Sequence, residues 1–176
     1  MIRACSLWLG TAILSACAGS GVPQYFPIPE DAENPIVMEY AGASAAEITD
    51  IVAKVCSDIP IATAQVRPND GYVETRWADI AALSRDPQAE MYPLRERSVV
   101  YTFQVTATGD RAGNLQIAGY YQPNRPTGTS PTRDSRYDRL LPKDHPGYQL
   151  ALQIEWRLKQ QMRMNRITVV GEEQES

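Results

Sequence analysis

Val99, Tyr101, Phe103 and Val105 stand at every second position of "RSVVYTFQVTA", and Leu115, Ile117 and Gly119 do the same in "NLQIAGYYQ". Successive side chains of a strand point to opposite faces, so an apolar period of two predicts strands with one face in a core. Between the two runs lies "TGDRAGN", whose Gly and Asp residues suit a turn, and the whole reads as a β-hairpin. A second hairpin is predicted upstream. Ala62, Ala64 and Val66 alternate with polar residues, "RPNDG" turns the chain, and Val73, Thr75 and Trp77 fall on one side of "YVETRWA". Two hairpins of this kind predict one antiparallel sheet.

Helical signals flank the hairpins. "SAAE", Ser44 to Glu47, is a capping box, in which the serine oxygen and the glutamate satisfy free amides at a helix start. Ile48, Ile51, Val52, Val55, Cys56 and Ile59 then recur at helical spacing until Pro60 ends the run. Cys56 lies on that apolar face, which predicts a buried, inert thiol. From about Tyr148 to Met164 a second helix carries Leu150, Ile154, Leu158 and Met162 along one stripe. Two amphipathic helices must bury their stripes, and one face of the sheet is the natural place. The expected fold is therefore α+β, a four-stranded or slightly larger antiparallel sheet with two helices on one face.

The N-terminal stretch predicts where the protein works. Arg3 is followed by "LWLGTAIL", far shorter than the ~20 apolar residues a spanning helix needs. It reads as a secretory signal over residues 1–16. "LSAC", Leu14 to Cys17, resembles the lipobox of bacterial lipoproteins. The resemblance implies cleavage before Cys17, acylation of that cysteine, and a membrane anchor of several acyl chains. Ala18 stands where an aspartate would resemble an inner-membrane retention signal, so the expected location is the periplasmic face of the outer membrane.

Processing at Cys17 would leave 160 of the 176 residues, one domain in size. Loss of Arg3 takes Lys plus Arg from 17 to 16 against 21 acids, a formal charge of minus 5. That balance argues against nucleic acid as a partner, since phosphate neutralisation needs a basic surface. With Cys5 lost and Cys17 acylated, Cys56 alone remains, so no intramolecular disulfide is expected. One histidine and one free thiol do not supply a zinc set, and neither metal nor cofactor is expected.

Residues 17–43 are rich in Pro, Gly and polar groups and read as an extended tether. Two apolar clusters interrupt it, Tyr25 with Phe26 and Ile36 to Met38. Each suits either contact with the domain, including an added edge strand, or docking to a partner. The domain is expected over 44–170, with a surface loop over 122–147 and an acidic tail over 171–176. Between Gln122 and Lys143, Arg125, Arg133, Arg136, Arg139 and Lys143 face only Asp134 and Asp138, a local excess of three positive charges. The arginines suit anionic lipid or an acidic patch on a partner, or simply solvation.

No catalytic signature stands out. His145 lies between Asp144 and Pro146 in the loop, a poor setting for a rigidly held base, and "GDRAG" is turn chemistry rather than a phosphate loop. Trp77, Tyr120 and Tyr121 suit core pairs or the lining of a ligand pocket.

The order helix, hairpin, irregular segment, hairpin, helix, with "DGYVETRWADI" opening the second strand, resembles the C lipoprotein of the outer-membrane β-barrel assembly machinery. That family carries helix-grip domains behind a lipidated cysteine and a long extended segment. The resemblance covers roughly 44–122. It implies a helix-grip-like fold and a lipid-anchored binding or scaffold protein of the cell envelope, partnered by another envelope protein and accessory to outer-membrane protein assembly. A small-ligand or lipid carrier and an envelope hydrolase are the alternative expectations.

Overall fold

The computed structural model describes residues 26–28, 30–83 and 87–171; the readings placed on Cys17, Tyr25 and 172–176 lie outside them. The fold is α+β, with an open antiparallel sheet of eight strands and four helices. The first half comprises β1 (Ile36–Ala41), α1 (Ala45–Asp58), β2 (Thr63–Arg67), β3 (Tyr72–Thr75), β4 (Ala78–Asp79) and α2 (Ile80–Leu83). The second comprises α3 (Leu94–Arg97), β5 (Ser98–Gly109), β6 (Ala112–Tyr121), β7 (Arg139–Leu140), α4 (Pro146–Met164) and β8 (Thr168–Val169). The sheet runs β2-β3-β5-β6-β1-β8, with β4 beside β5 and β7 beside β6.

The sheet is twice the expected size. Three of the added strands, β4, β7 and β8, are two residues long, too short to carry an alternation that sequence can reveal. The fourth, β1, comes from the stretch read as tether: Ile36 to Ala41 pair with β6 from Ile117 to Ala112. Of the two readings of Ile36 to Met38, the added strand is the one the structure has. The ordered chain thus extends well before Ser44.

The long hairpin forms as its alternation predicts. Tyr101 faces Gly119, Phe103 faces Ile117 and Val105 faces Leu115 across β5 and β6, and all six are buried. Gly119 is required by its neighbours, because a Cβ there would run into Leu141. In the other hairpin β2 and β3 pair as expected, yet Ala62, Ala64 and Val66 are exposed. β2 is the sheet edge, and its alternation packs on nothing. After Thr75 the strand breaks: the Tyr101 N–H donates to the Thr75 hydroxyl at 2.9 Å instead of to a strand carbonyl. Pairing with β5 resumes only at Ala78 and Asp79, leaving half-buried Trp77 in the gap.

Both long helices contribute to the same core. Ser44 closes the capping box of α1: Glu47 N–H donates to its hydroxyl and its own N–H donates to the Glu47 carboxylate at 2.7 Å. Ile48, Val52, Val55 and Cys56 of α1 and Leu150, Ile154, Leu158 and Met162 of α4 join Phe103, Leu115 and Ile117 in one buried cluster. Each such side chain contributes about 1.5–3 kcal/mol by leaving water. Burial pushes the Cys56 thiol up to about 12, so it stays protonated and inert.

Candidate functional site

The segment before β1 lies along α4 through hydrogen bonds to residues the sequence marked for other roles. Phe26 donates its N–H to the Gln149 amide oxygen and accepts from the Gln149 amide nitrogen, both at 3.1 Å. Its ring sits 6.4 Å from that of Trp156. Further on, Lys143 donates to Glu30 O at 2.6 Å, Tyr148 Oη to Glu33 O at 3.1 Å, and the Asn34 amide bridges Gly119 O and Leu141 O. Residues 26–28 and 30–34 are a strap on the domain rather than a free tether. Phe26, a candidate partner contact by sequence, is engaged by the chain's own helix.

His145 is held rigidly, contrary to the expectation for a loop residue. It is the N-cap of α4, its Nδ1 accepting from Gly147 N–H at 3.0 Å. That bond leaves the proton on Nε2, which donates to Glu96 O at 3.1 Å. The rings of Tyr92 and Tyr121 flank it at 5.1 and 4.9 Å. Burial holds its pKa below the ordinary histidine value, against smaller opposing pulls from the Glu96 carbonyl and Asp144. With both nitrogens committed to backbone, the imidazole acts as a strut between α3 and α4.

The expected loop over 122–147 is only partly a loop. Its last third supplies β7, buried Leu141 and the start of α4. The stretch over 122–138 folds back on itself around Gln122, whose buried amide donates to Thr132 O at 2.6 Å and to Asp138 Oδ1 at 2.7 Å. Arg133 stacks over the Tyr120 ring at 4.2 Å and pairs with Asp138 at 3.3 Å. Arg136 grips Asp134 through Nε at 3.1 Å and Nη2 at 2.7 Å, which lowers the Asp134 pKa below the usual carboxylate range. Arg139 donates to Asp138 O at 2.8 Å and Arg136 O at 3.3 Å. Arg133 and Arg136 thus meet the loop's two aspartates, and Arg139 is bonded to its carbonyls. Tyr120, a candidate ligand contact, lies beneath Arg133.

Arg125 differs. Its side chain is only 9% exposed, and Nη1 is buried with no hydrogen-bond partner. It lines a cleft of 470 Å³ between the start of α3 and the loop, shared with Pro93, Leu94, Arg95, Thr127 and Ser130 among others. Among the described residues no carboxylate lines that cleft. Leu94 at its rim is 62% exposed. Of the arginines singled out by sequence, Arg125 alone lines this cleft, and it is joined by Arg95 and Leu94, which sequence reading passed over. The signal was "PLRER", an apolar residue followed by two arginines in a polar segment, too short for any period to mark it.

Among the described residues no three metal-ligating side chains converge, and no helix is long and apolar enough to cross a membrane. Comparison with family models, curated proteins and solved structures finds no match to this chain.

Proposed function

We propose that this is a lipid-anchored module of the bacterial envelope that works by binding, held through acylated Cys17 at the periplasmic face of the outer membrane. The observation that carries the reading is the spacing between "LSAC" and the strap. From Cys17 to Phe26, where the chain is already bonded to Gln149, there are nine residues, a leash of at most about 30 Å. Such a leash keeps the domain beside the membrane. With it we propose a helix-grip-like arrangement, α1 and α4 gripping one face of the central strands, supported by the core cluster the helices share with β5 and β6. The partner we propose is another envelope protein, with accessory duty in outer-membrane protein assembly.

Binding rather than catalysis is supported by the state of His145, the chain's one histidine, whose ring nitrogens both serve backbone groups. A second reading, a carrier of small amphiphiles, is favoured by the Arg125 cleft, whose volume falls in the range of ligand pockets. Metabolic labelling with a fatty-acid probe tests the anchor. Label is expected on the natural chain and absent from Cys17→Ala, and label persisting in that variant overturns it. Crosslinking in intact cells with mass spectrometry should return envelope proteins; cytosolic partners alone would refute the location.

A further inference from the structure

We infer that the cleft between α3 and the 122–138 loop is a phosphate-ester site, with Arg125 and Arg95 as its cationic walls; this deepens the binding reading above. A buried guanidinium without an acceptor forfeits hydration and receives nothing in return, so an acceptor placed in the cleft is strongly favoured. Neither the Arg125 nor the Arg95 side chain makes a hydrogen bond or ion pair among the described residues, in contrast to Arg133, Arg136 and Arg139.

The lining selects the ligand class. Two arginines and no acid match a group that carries one to two negative charges over several oxygens, which fits phosphate better than a lone carboxylate. The hydroxyls of Thr127 and Ser130 add donors, whereas that of Thr129 already donates to Pro126 O at 2.7 Å. Beside the cations stand apolar groups, Pro93 and Leu94, which line the same cleft. Apolar side chains next to a cationic cleft match an ester whose phosphate continues into a hydrocarbon body. The wall is also joined to the strap. Tyr92 Oη donates to Asp144 O at 3.3 Å, and the adjoining Lys143 donates to Glu30 O. A phospholipid headgroup of the membrane that holds Cys17 is the nearest source of such an ester, and a soluble phosphate ester is the other.

The test uses the full chain in nonionic detergent micelles, with the melting midpoint as readout. Micelles are doped with phosphatidylglycerol or phosphatidylcholine in two arms, and inorganic phosphate and glycerol 3-phosphate are added in two more. A saturable rise with phosphatidylglycerol is expected, with half-saturation moved about tenfold or more by Arg125→Gln and by Arg95→Gln, the loss of one charge-assisted contact. Arg133→Gln and Arg136→Gln should respond like the natural chain. Saturation by glycerol 3-phosphate at equal or lower concentration supports the site and assigns it to soluble esters. No saturable shift with any phosphate, or equal half-saturation in both cleft variants, overturns the inference; an equal response to phosphatidylcholine supports a site that reads the phosphodiester whatever the rest of the headgroup. Arg95 is exposed, so its variant remains informative should Arg125→Gln fail to fold. Cell crosslinks to envelope proteins that persist while anion binding is absent end this inference and leave the binding reading standing; loss of the crosslinks ends that reading instead.

Discussion

The β5–β6 hairpin and the 122–138 stretch are neighbours in the chain, and both are ordered, but by different physics. The hairpin is ordered by area: its alternate side chains are buried in the core cluster that also holds residues of α1 and α4, and many small gains add. The loop is ordered by a few polar contacts, chiefly the Gln122 amide, the Arg133–Tyr120 stack and the Arg136–Asp134 pair. Burial summed over many residues is cooperative and tolerates single losses in parts. A network of a few directional bonds fails locally when one member is removed, and the rest of the molecule need not notice.

Truncation of the core should show the first kind of order. Phe103→Ala removes a fully buried ring from the core cluster, and is expected to cost about 3–5 kcal/mol by denaturant unfolding, with all probes reporting one transition. A loss confined to the hairpin amides would break the comparison. Gln122→Ala should show the second kind. It deletes two donors from a buried amide and leaves Thr132 O without that partner, an expected cost of about 1–3 kcal/mol. Hydrogen exchange should quicken over 122–138 while amides of β5 and β6 keep their protection; equal acceleration in both would show the loop and sheet to be one cooperative unit.

His145 sharpens the comparison at the junction, with the smallest effect. Its pKa is depressed in the fold, so the unfolded chain binds the proton more readily. The stability it contributes is fully present above the ordinary histidine value of about 6.5 and is lost as pH falls from there through the folded pKa. Protonation also costs Gly147 N–H its acceptor. His145→Asn keeps a good N-cap without the titration, and is expected to flatten this part of the pH–stability curve. A slope unchanged in the variant would assign the dependence to other groups.

Much of this fold was legible without coordinates, for physical reasons that differ by element. The capping box at Ser44 and Glu47 is a local pattern satisfied within four residues, and it forms as read. The stripes of α1 and α4 and the alternation of β5 and β6 repeat over three turns or more, so their periods stand out from chance. Where the period was short or unpartnered, reading failed. Ala62, Ala64 and Val66 alternate like a buried strand, yet lie on the sheet edge, and nothing in the local sequence says which strand will be outermost. Charge counting left the arrangement of the loop open as well, because a net excess of arginine is silent on whether Asp134 and Asp138 meet Arg136 and Arg133 or point away from them.

By itself, then, the amino-acid sequence determined the α+β class, the two long helices with their apolar faces, the central hairpin and the inert Cys56, all of which rest on interactions between residues close in the chain or on a repeated period. Only the tertiary structure decided that Phe26 is strapped to Gln149, that His145 is a strut rather than a loop residue, and that Arg125 is buried without a partner while the other loop arginines are satisfied. The strap and the strut rest on bonds between residues 123 and 49 positions apart, where pairing is set by the geometry of the whole sheet and its helices, while the loop arginines find partners within a few residues once the loop has folded back. A carboxylate or a carbonyl neutralises an arginine only if the backbone brings the two within about 3 Å, and no local pattern encodes that distance.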